Sequence, residues 1–172
     1  MKEEYLLVDG YNIIFAWEEL KELAAVNIDA ARLSLQDILA NYQGYKKNHV
    51  VIVYDGYKVK GNLGTQTTCG NLEIIFTKEA ETADSYIEKM SNQLSKEYYV
   101  TVATSDFLEQ MITMGHGSRR LSATEFKKEI EAVNRLIREQ HLEKPVKDRN
   151  YLFQHASKEV AQMLEKIRLN EK

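Results

Sequence analysis

Tyr5-Leu6-Leu7-Val8-Asp9-Gly10-Tyr11-Asn12, near the start of the chain, is an apolar run that stops at a carboxylate and a glycine. Such a run is too short for a helix and suits a buried strand. Residues 50–54, 72–76 and 98–103 repeat the pattern, each rich in β-branched or aromatic side chains. Helical periodicity separates most of them. Asp29 is positioned to cap a helix running to about Tyr42, with Leu33, Ile38 and Leu39 inward. Thr82 caps another whose Ala83, Ile87, Met90 and Leu94 form one stripe. A third runs from about Asp106 to Gly115, a natural stop. Ser122-Ala123-Thr124-Glu125 is a capping box opening a long helix with Phe126, Ile130, Val133 and Ile137 on one side. Strands alternating with helices predict an α/β fold with a mostly parallel sheet covered on both faces. After Pro145 the pattern weakens before a last amphipathic segment with Val160, Leu164 and Ile167.

The chain has 172 residues, 44% hydrophobic and 28% charged, enough to bury one substantial core. One proline and eight glycines leave little for a linker, and there is no internal repeat. The lone Cys69 excludes an intrachain disulfide. Met1-Lys2-Glu3-Glu4 followed by four apolar residues is neither a signal peptide nor a membrane span, so a cytoplasmic protein is expected, with no membrane partner. A net charge of −3 argues that any contact with nucleic acid rests on a local patch or on a partner that presents it.

Three of the four strands end alike, at Asp9, Asp55 and Asp106. In a parallel sheet the carboxyl ends of the strands share one edge, where open α/β folds bind ligands. Asp84 joins that edge when residues 72–76 feed the helix capped by Thr82. Each acid has a plainer reading. Asp55-Gly56 suits a turn, Asp106 with Glu109 a capping box, Asp84 the positive end of a helix, and Asp9-Gly10 a strand end. All four on one edge is harder to assign to turns. Two like charges 4–5 Å apart cost roughly 3–4 kcal/mol at an effective dielectric of about 20, so such a cluster raises its pKa values or holds a cation. Hard oxygen ligands completed by water suit Mg²⁺ or Mn²⁺, which bind phosphate and activate water. Asn12 can orient Asp9 or touch a phosphate, and Ser105 can donate to a phosphate oxygen or cap the following helix.

Rival sites on this scaffold lack parts. "DGYNII" has one glycine where a dinucleotide site needs three, and Gly61-Asn62-Leu63-Gly64 lacks the lysine-hydroxyl pair of a P-loop, so no organic cofactor is expected. An aspartyl-phosphate phosphatase would place a second aspartate at Tyr11. A receiver-like phosphoacceptor module would use Asp9 and Asp55 but leaves Asp84 and Asp106 unexplained and lacks a strand-end lysine. A non-catalytic RNA- or ribosome-binding module on the same fold is the remaining alternative.

"LLVDGYNII", "VIVYDG", "IIFTKEAETADSYIE", "VATSDFLEQ" and "GHGSRRLSATEF" together resemble the YacP-like NYN domain family, relatives of the PIN-domain nucleases. The quoted motifs span about residues 6–137. The resemblance implies a PIN-like three-layer α/β/α sandwich and metal-dependent endonucleolytic hydrolysis of RNA. It also implies mRNA as substrate and the ribosome as partner, because the family includes a ribosome-associated endoribonuclease. By motif, Asp9 and Asp84 become central metal ligands, Asp55 and Asp106 complete the acidic site, Asn12 and Ser105 support it, and Arg32 lies near the edge. A nuclease domain over residues 1–141 and a C-terminal extension over 142–172 follow. Water attack without the 2′-hydroxyl predicts 5′-phosphate and 3′-hydroxyl products.

Candidate RNA contacts are Lys58 and Lys60 after Asp55, Arg119 and Arg120 before the long helix, and Lys128, Arg135 and Arg138 on it. Tyr57 offers a ring for stacking. Charged helix faces are commonly only solvated, and Glu131 shares this one.

Overall fold

The computed structural model describes residues 3–56, 64–78, 80–115 and 117–143; for Cys69, 107–109 and 141–143 it describes the backbone alone. Tyr57, Lys58, Lys60, His116 and the amphipathic segment near the C-terminus lie outside the described residues. Two compact units divide the chain, Met1–Arg135 and Leu136–Lys172. The first holds the whole sheet. Of the second, the described part is the end of one helix.

In chain order the elements are β1 (Glu4–Asp9), α1 (Gly10–Ala16), α2 (Glu18–Val26), α3 (Ile28–Lys46), β2 (His49–Tyr54), β3 (Thr65–Cys69), β4 (Leu72–Phe76), α4 (Ala83–Leu94), β5 (Tyr99–Ala103), α5 (Phe107–Gly115), β6 (Arg119–Leu121) and α6 (Ala123–Glu143). They build an α/β fold around a six-stranded sheet in the order β3-β4-β2-β1-β5-β6, parallel except for β3, which runs against β4. The four apolar runs are its four central strands. β3 and β6 are edge strands that the apolar pattern does not mark, β3 because Thr65, Gln66, Thr67 and Thr68 are polar and exposed. Among the described residues no helix is long and apolar enough to cross a membrane.

Alternation along the strands divides the core. Leu7, Val51, Val53, Ile75, Val100 and Val102 pack under Ala83 and Ile87 of α4. Leu6, Val8, Val50 and Ile52 are equally buried, and α1 and α3 lie over the sheet there. On that side Trp17 donates its indole N–H to the Ala123 carbonyl at 2.9 Å and packs on Phe126, tying α6 to α1.

One cap differs from the sequence expectation. Asn27, not Asp29, caps α3, accepting from the Asp29 and Ala30 N–H groups at 3.0 and 3.1 Å. The helix therefore starts earlier, and its buried side carries Ala31, Leu35, Leu39 and Tyr42 while Leu33 is 58% exposed. Helix α5 ends at Gly115 as expected, and Gly117 beyond it is in the left-handed region (φ 84°). The Thr82 cap and the Ser122–Glu125 box form as expected: Thr82 Oγ1 accepts from Ser85 N–H, and Glu125 Oε2 accepts from Ser122 N–H at 2.9 Å.

Candidate active site

The carboxyl ends of β1, β2 and β5 and the start of α4 meet at one edge of the sheet. Asp9 is the last residue of β1 and the N-cap of α1. Its carboxylate turns back to accept from the Asn12 N–H at 3.0 Å and is 5% exposed. One side chain thus ends a strand and starts a helix without an intervening loop. Gly10 makes this possible, because a Cβ there would lie 2.2 Å from the ring of Tyr54. Tyr54 is fully buried between Tyr11 and Phe76, each ring centre 5.1 Å away.

Asp55 follows β2 and accepts from the Ala83 N–H at 2.8 Å. That bond ties the end of β2 to the first turn of α4, where Asp84 is the next residue. The Gly56 N–H donates to Thr77 Oγ1 at 3.0 Å, joining the segments after β2 and β4. Across the edge, Asn12 Oδ1 accepts from both the backbone N–H (3.0 Å) and the hydroxyl of Ser105. The next N–H, of Asp106, donates to buried Thr104 Oγ1 at 3.1 Å. The four aspartates, Asn12 and Ser105 are therefore gathered as the sequence pattern anticipates.

Their charges act on one another. Burial, the largest influence, pushes the Asp9 carboxyl up to about 7; the Asn12 N–H opposes it, while the charge and hydrogen bond of Asp84 and the charge of Asp55 add to it. Partial desolvation also raises Asp84, its hydrogen bond with Asp9 lowers it, and the charges of Asp106 and Asp55 raise it. Two carboxyls hydrogen-bonded to each other share a proton, or replace it with a cation. The donor set is all oxygen, which fits Mg²⁺ or Mn²⁺. Among the described residues no three His, Cys, Asp or Glu side chains close into a metal cage. A bound ion would thus rely on Asp9 and Asp84 with water completing its shell.

Two of the basic candidates, Arg32 and Arg120, are engaged in side-chain hydrogen bonds. Arg32 is held down rather than presented: Nε and Nη2 donate to Tyr11 Oη at 3.1 and 2.8 Å, Nη1 pairs with Asp29, and the guanidinium lies over the rings of Tyr11 and Phe76. Arg119 and Arg120 are in β6 rather than in a loop. Arg120 donates to Gln110 Oε1 at 3.1 Å. Arg119 lines a pocket with Glu4, Tyr98 and Tyr99, where β1 and β5 begin, at the end of the sheet away from the acids. The sequence reading missed Tyr54, Thr77 and Thr104 as supports. The one signal for Tyr54 is Gly10, since a glycine after a strand-end acid marks a close backbone approach.

The pattern of the YacP-like NYN domain matches residues 6–169, running beyond the quoted motifs and into the C-terminal segment. The Bacillus subtilis protein YacP is 45% identical over 135 residues, covering 78% of this chain and 79% of that protein. A crystal structure of Rae1 (YacP) from Bacillus subtilis superposes with a TM-score of 0.70 at 41% identity, covering 95% of this chain and 94% of that one. A tryptophan-to-leucine variant of the same protein gives 0.70 at 35% identity, covering 95% and 99%. The chain belongs to the YacP-like NYN domain family, a nuclease-type family.

Proposed function

We propose that this protein is a Mg²⁺- or Mn²⁺-dependent endoribonuclease that hydrolyses RNA phosphodiester bonds, acting on mRNA in the translating ribosome. The observation that carries the reading is the meeting of Asp9 and Asp84 at the carboxyl edge of the sheet, one carboxyl buried and both raised by their surroundings. A structural cap or turn has no use for two carboxylates pressed together, because each raises the cost of ionising the other.

A divalent ion bound there supplies charge neutralisation at the phosphate and an activated water, so that products carry 5′-phosphate and 3′-hydroxyl ends. The chain's own residues do the rest. Asp9 and Asp84 hold the ion. Asp55 fixes Asp84 through the Ala83 N–H. Asn12 fixes Ser105 and with it the approach of Asp106. In this reading residues 1–141 are the nuclease domain and 142–172 an extension, in a cytoplasmic protein. On a chain of net charge −3 the basic candidates are few, so presentation by the ribosome compensates for feeble binding of free RNA.

Mapping RNA 5′ ends by primer extension in a purified translation reaction tests this, with wild type, Asp9→Asn and a parallel sample lacking ribosomes. New 5′-phosphate ends with wild type alone, and only during translation, are expected. Cutting of free RNA at the same rate removes the ribosome from the reading. No cutting in Mg²⁺ or Mn²⁺ overturns it in favour of a binding module.

A further inference from the structure

At the acidic end of the sheet its α4 side opens into a pocket of about 220 Å³, with Gln66, Ile75, Lys78, Glu81 and Tyr86 in its wall. Thr77 in the wall accepts from the Gly56 N–H beside Asp55, so the wall begins at the acidic end of the sheet. The outer wall comes from β3, whose antiparallel course sets Thr65 opposite Phe76 at the acidic end of the sheet. Ile75 and the half-buried Tyr86 pack on the core and give an apolar floor. Gln66, Lys78 and Glu81 form a polar lip.

We propose that this pocket receives one unpaired RNA base, adjacent to the phosphate held at the aspartates, and reads it through an edge bearing amino donors; the proposal rests on the nuclease reading and names a subsite of the same site. A phosphate is the wrong occupant. Among the described residues Glu81 is in the wall and Glu73, bonded to the Gln66 amide, lies beside it, against one cation, Lys78. A neutral ring suits the same surroundings. The Tyr86 ring offers a surface to stack on, and base stacking on an aromatic side chain tolerates a wet, mixed-charge site. The Glu81 carboxylate and the Gln66 carbonyl accept from amino groups, as carboxylates do from cytosine N4.

The test uses the full chain and single-stranded hexaribonucleotides carrying 2-aminopurine at each position in turn, with Ca²⁺ present, and the same oligomers with an abasic residue there. Wild type is expected to quench the probe at one position. Tyr86→Leu is expected to bind that oligomer about tenfold more weakly, within what stacking on one ring contributes. Tyr86→Phe restores affinity, and all three proteins bind the abasic oligomer equally. Glu81→Gln, at a half-exposed position that leaves the fold alone, is expected to lose about fivefold on the base-containing oligomer only. Equal binding by Tyr86→Leu and Glu81→Gln, equal losses on the abasic oligomer, or no quenching by wild type each overturns the base subsite. Failure of the nuclease reading looks different: base-dependent quenching persists, in wild type and in Asp9→Asn, while neither protein cuts any RNA in Mg²⁺ or Mn²⁺.

Discussion

The two pairs of aspartates at the sheet edge are built to opposite ends. Asp9 and Asp84 face each other, bonded carboxyl to carboxyl, with burial raising both. Asp55 accepts from the backbone N–H of Ala83, and Asp106 is anchored by its own backbone N–H, which donates to Thr104 Oγ1. The first pair is an unfavourable arrangement that the fold maintains; the second belongs to the bonds that maintain it. Local strain of this kind concentrates where a protein acts on something else. Under the proposed function, that contrast makes Asp9 and Asp84 the ligand-holding acids and Asp55 and Asp106 the positioning ones.

Replacing Asp9 should have the largest effect, in opposite directions on activity and stability. Asp9→Asn is expected to lower RNA cleavage by about 10³-fold or more, the scale on which removal of a charged group at the reacting centre acts. The same change should stabilise the metal-free fold, because asparagine caps a helix as well as aspartate does. The sign follows from the proton. Folded Asp9 keeps its proton up to about pH 7, against 3.8 for the ordinary carboxyl. Wild-type stability therefore falls as pH rises from about 4 to about 7 and levels off above, by no more than about 4 kcal/mol. Urea melts of both proteins at pH 4, 6 and 8 check this. A slope that survives Asp9→Asn would place the strain elsewhere.

Gly10→Ala should cost about 3 kcal/mol, near the upper end for overpacking, because the new methyl meets the immobile Tyr54 ring at 2.2 Å. Its measurement is the same denaturant midpoint. A cost below about 1 kcal/mol would mean that α1 can tilt away and that the placement of Asp9 is softer than its contacts imply. Asp55→Ala comes next, at about 2 kcal/mol destabilising, the range for losing a charge-assisted hydrogen bond to a part-buried N–H. If Asp55→Ala instead stabilises the protein as Asp9→Asn does, the two pairs are not different in kind.

The parts of this arrangement that were legible in the sequence are those governed by burial. β1, β2, β4 and β5 announce themselves because both faces are covered, and their acids fall at the edge because parallel strands end together. Asp84 follows from the β4–α4 connection. The edges were illegible for the converse reason. Polar β3 is exposed, and β6 spans only Arg119–Leu121, so neither carries a hydrophobic period. Helix α1 was hidden by Gly10, a poor helix former that close packing on Tyr54 requires. Arg32 reads as a solvated or substrate-binding cation, yet it is spent on Tyr11 and Asp29. Side-chain partners of that kind depend on tertiary contacts that no local pattern encodes.

Asn12 joins the two pairs and gives the smallest effect and the finest test. Its N–H holds Asp9, and its side-chain oxygen holds Ser105 just before Asp106. Asn12→Ala keeps the first bond, which is backbone, and removes the second. The expected destabilisation is about 1 kcal/mol, the net worth of a partly exposed hydrogen bond. Cleavage should drop about tenfold through kcat with KM little changed, because the acid is displaced and no substrate contact is lost. Asn12→Asp separates position from charge. It keeps the acceptor for Ser105 but adds a fifth carboxylate to the edge, so it should preserve the bridge and raise the concentration of Mg²⁺ or Mn²⁺ at which stability recovers if repulsion, not cation capture, dominates there. Recovery at a lower concentration would mean that the added carboxylate joins Asp9 and Asp84 in holding the ion.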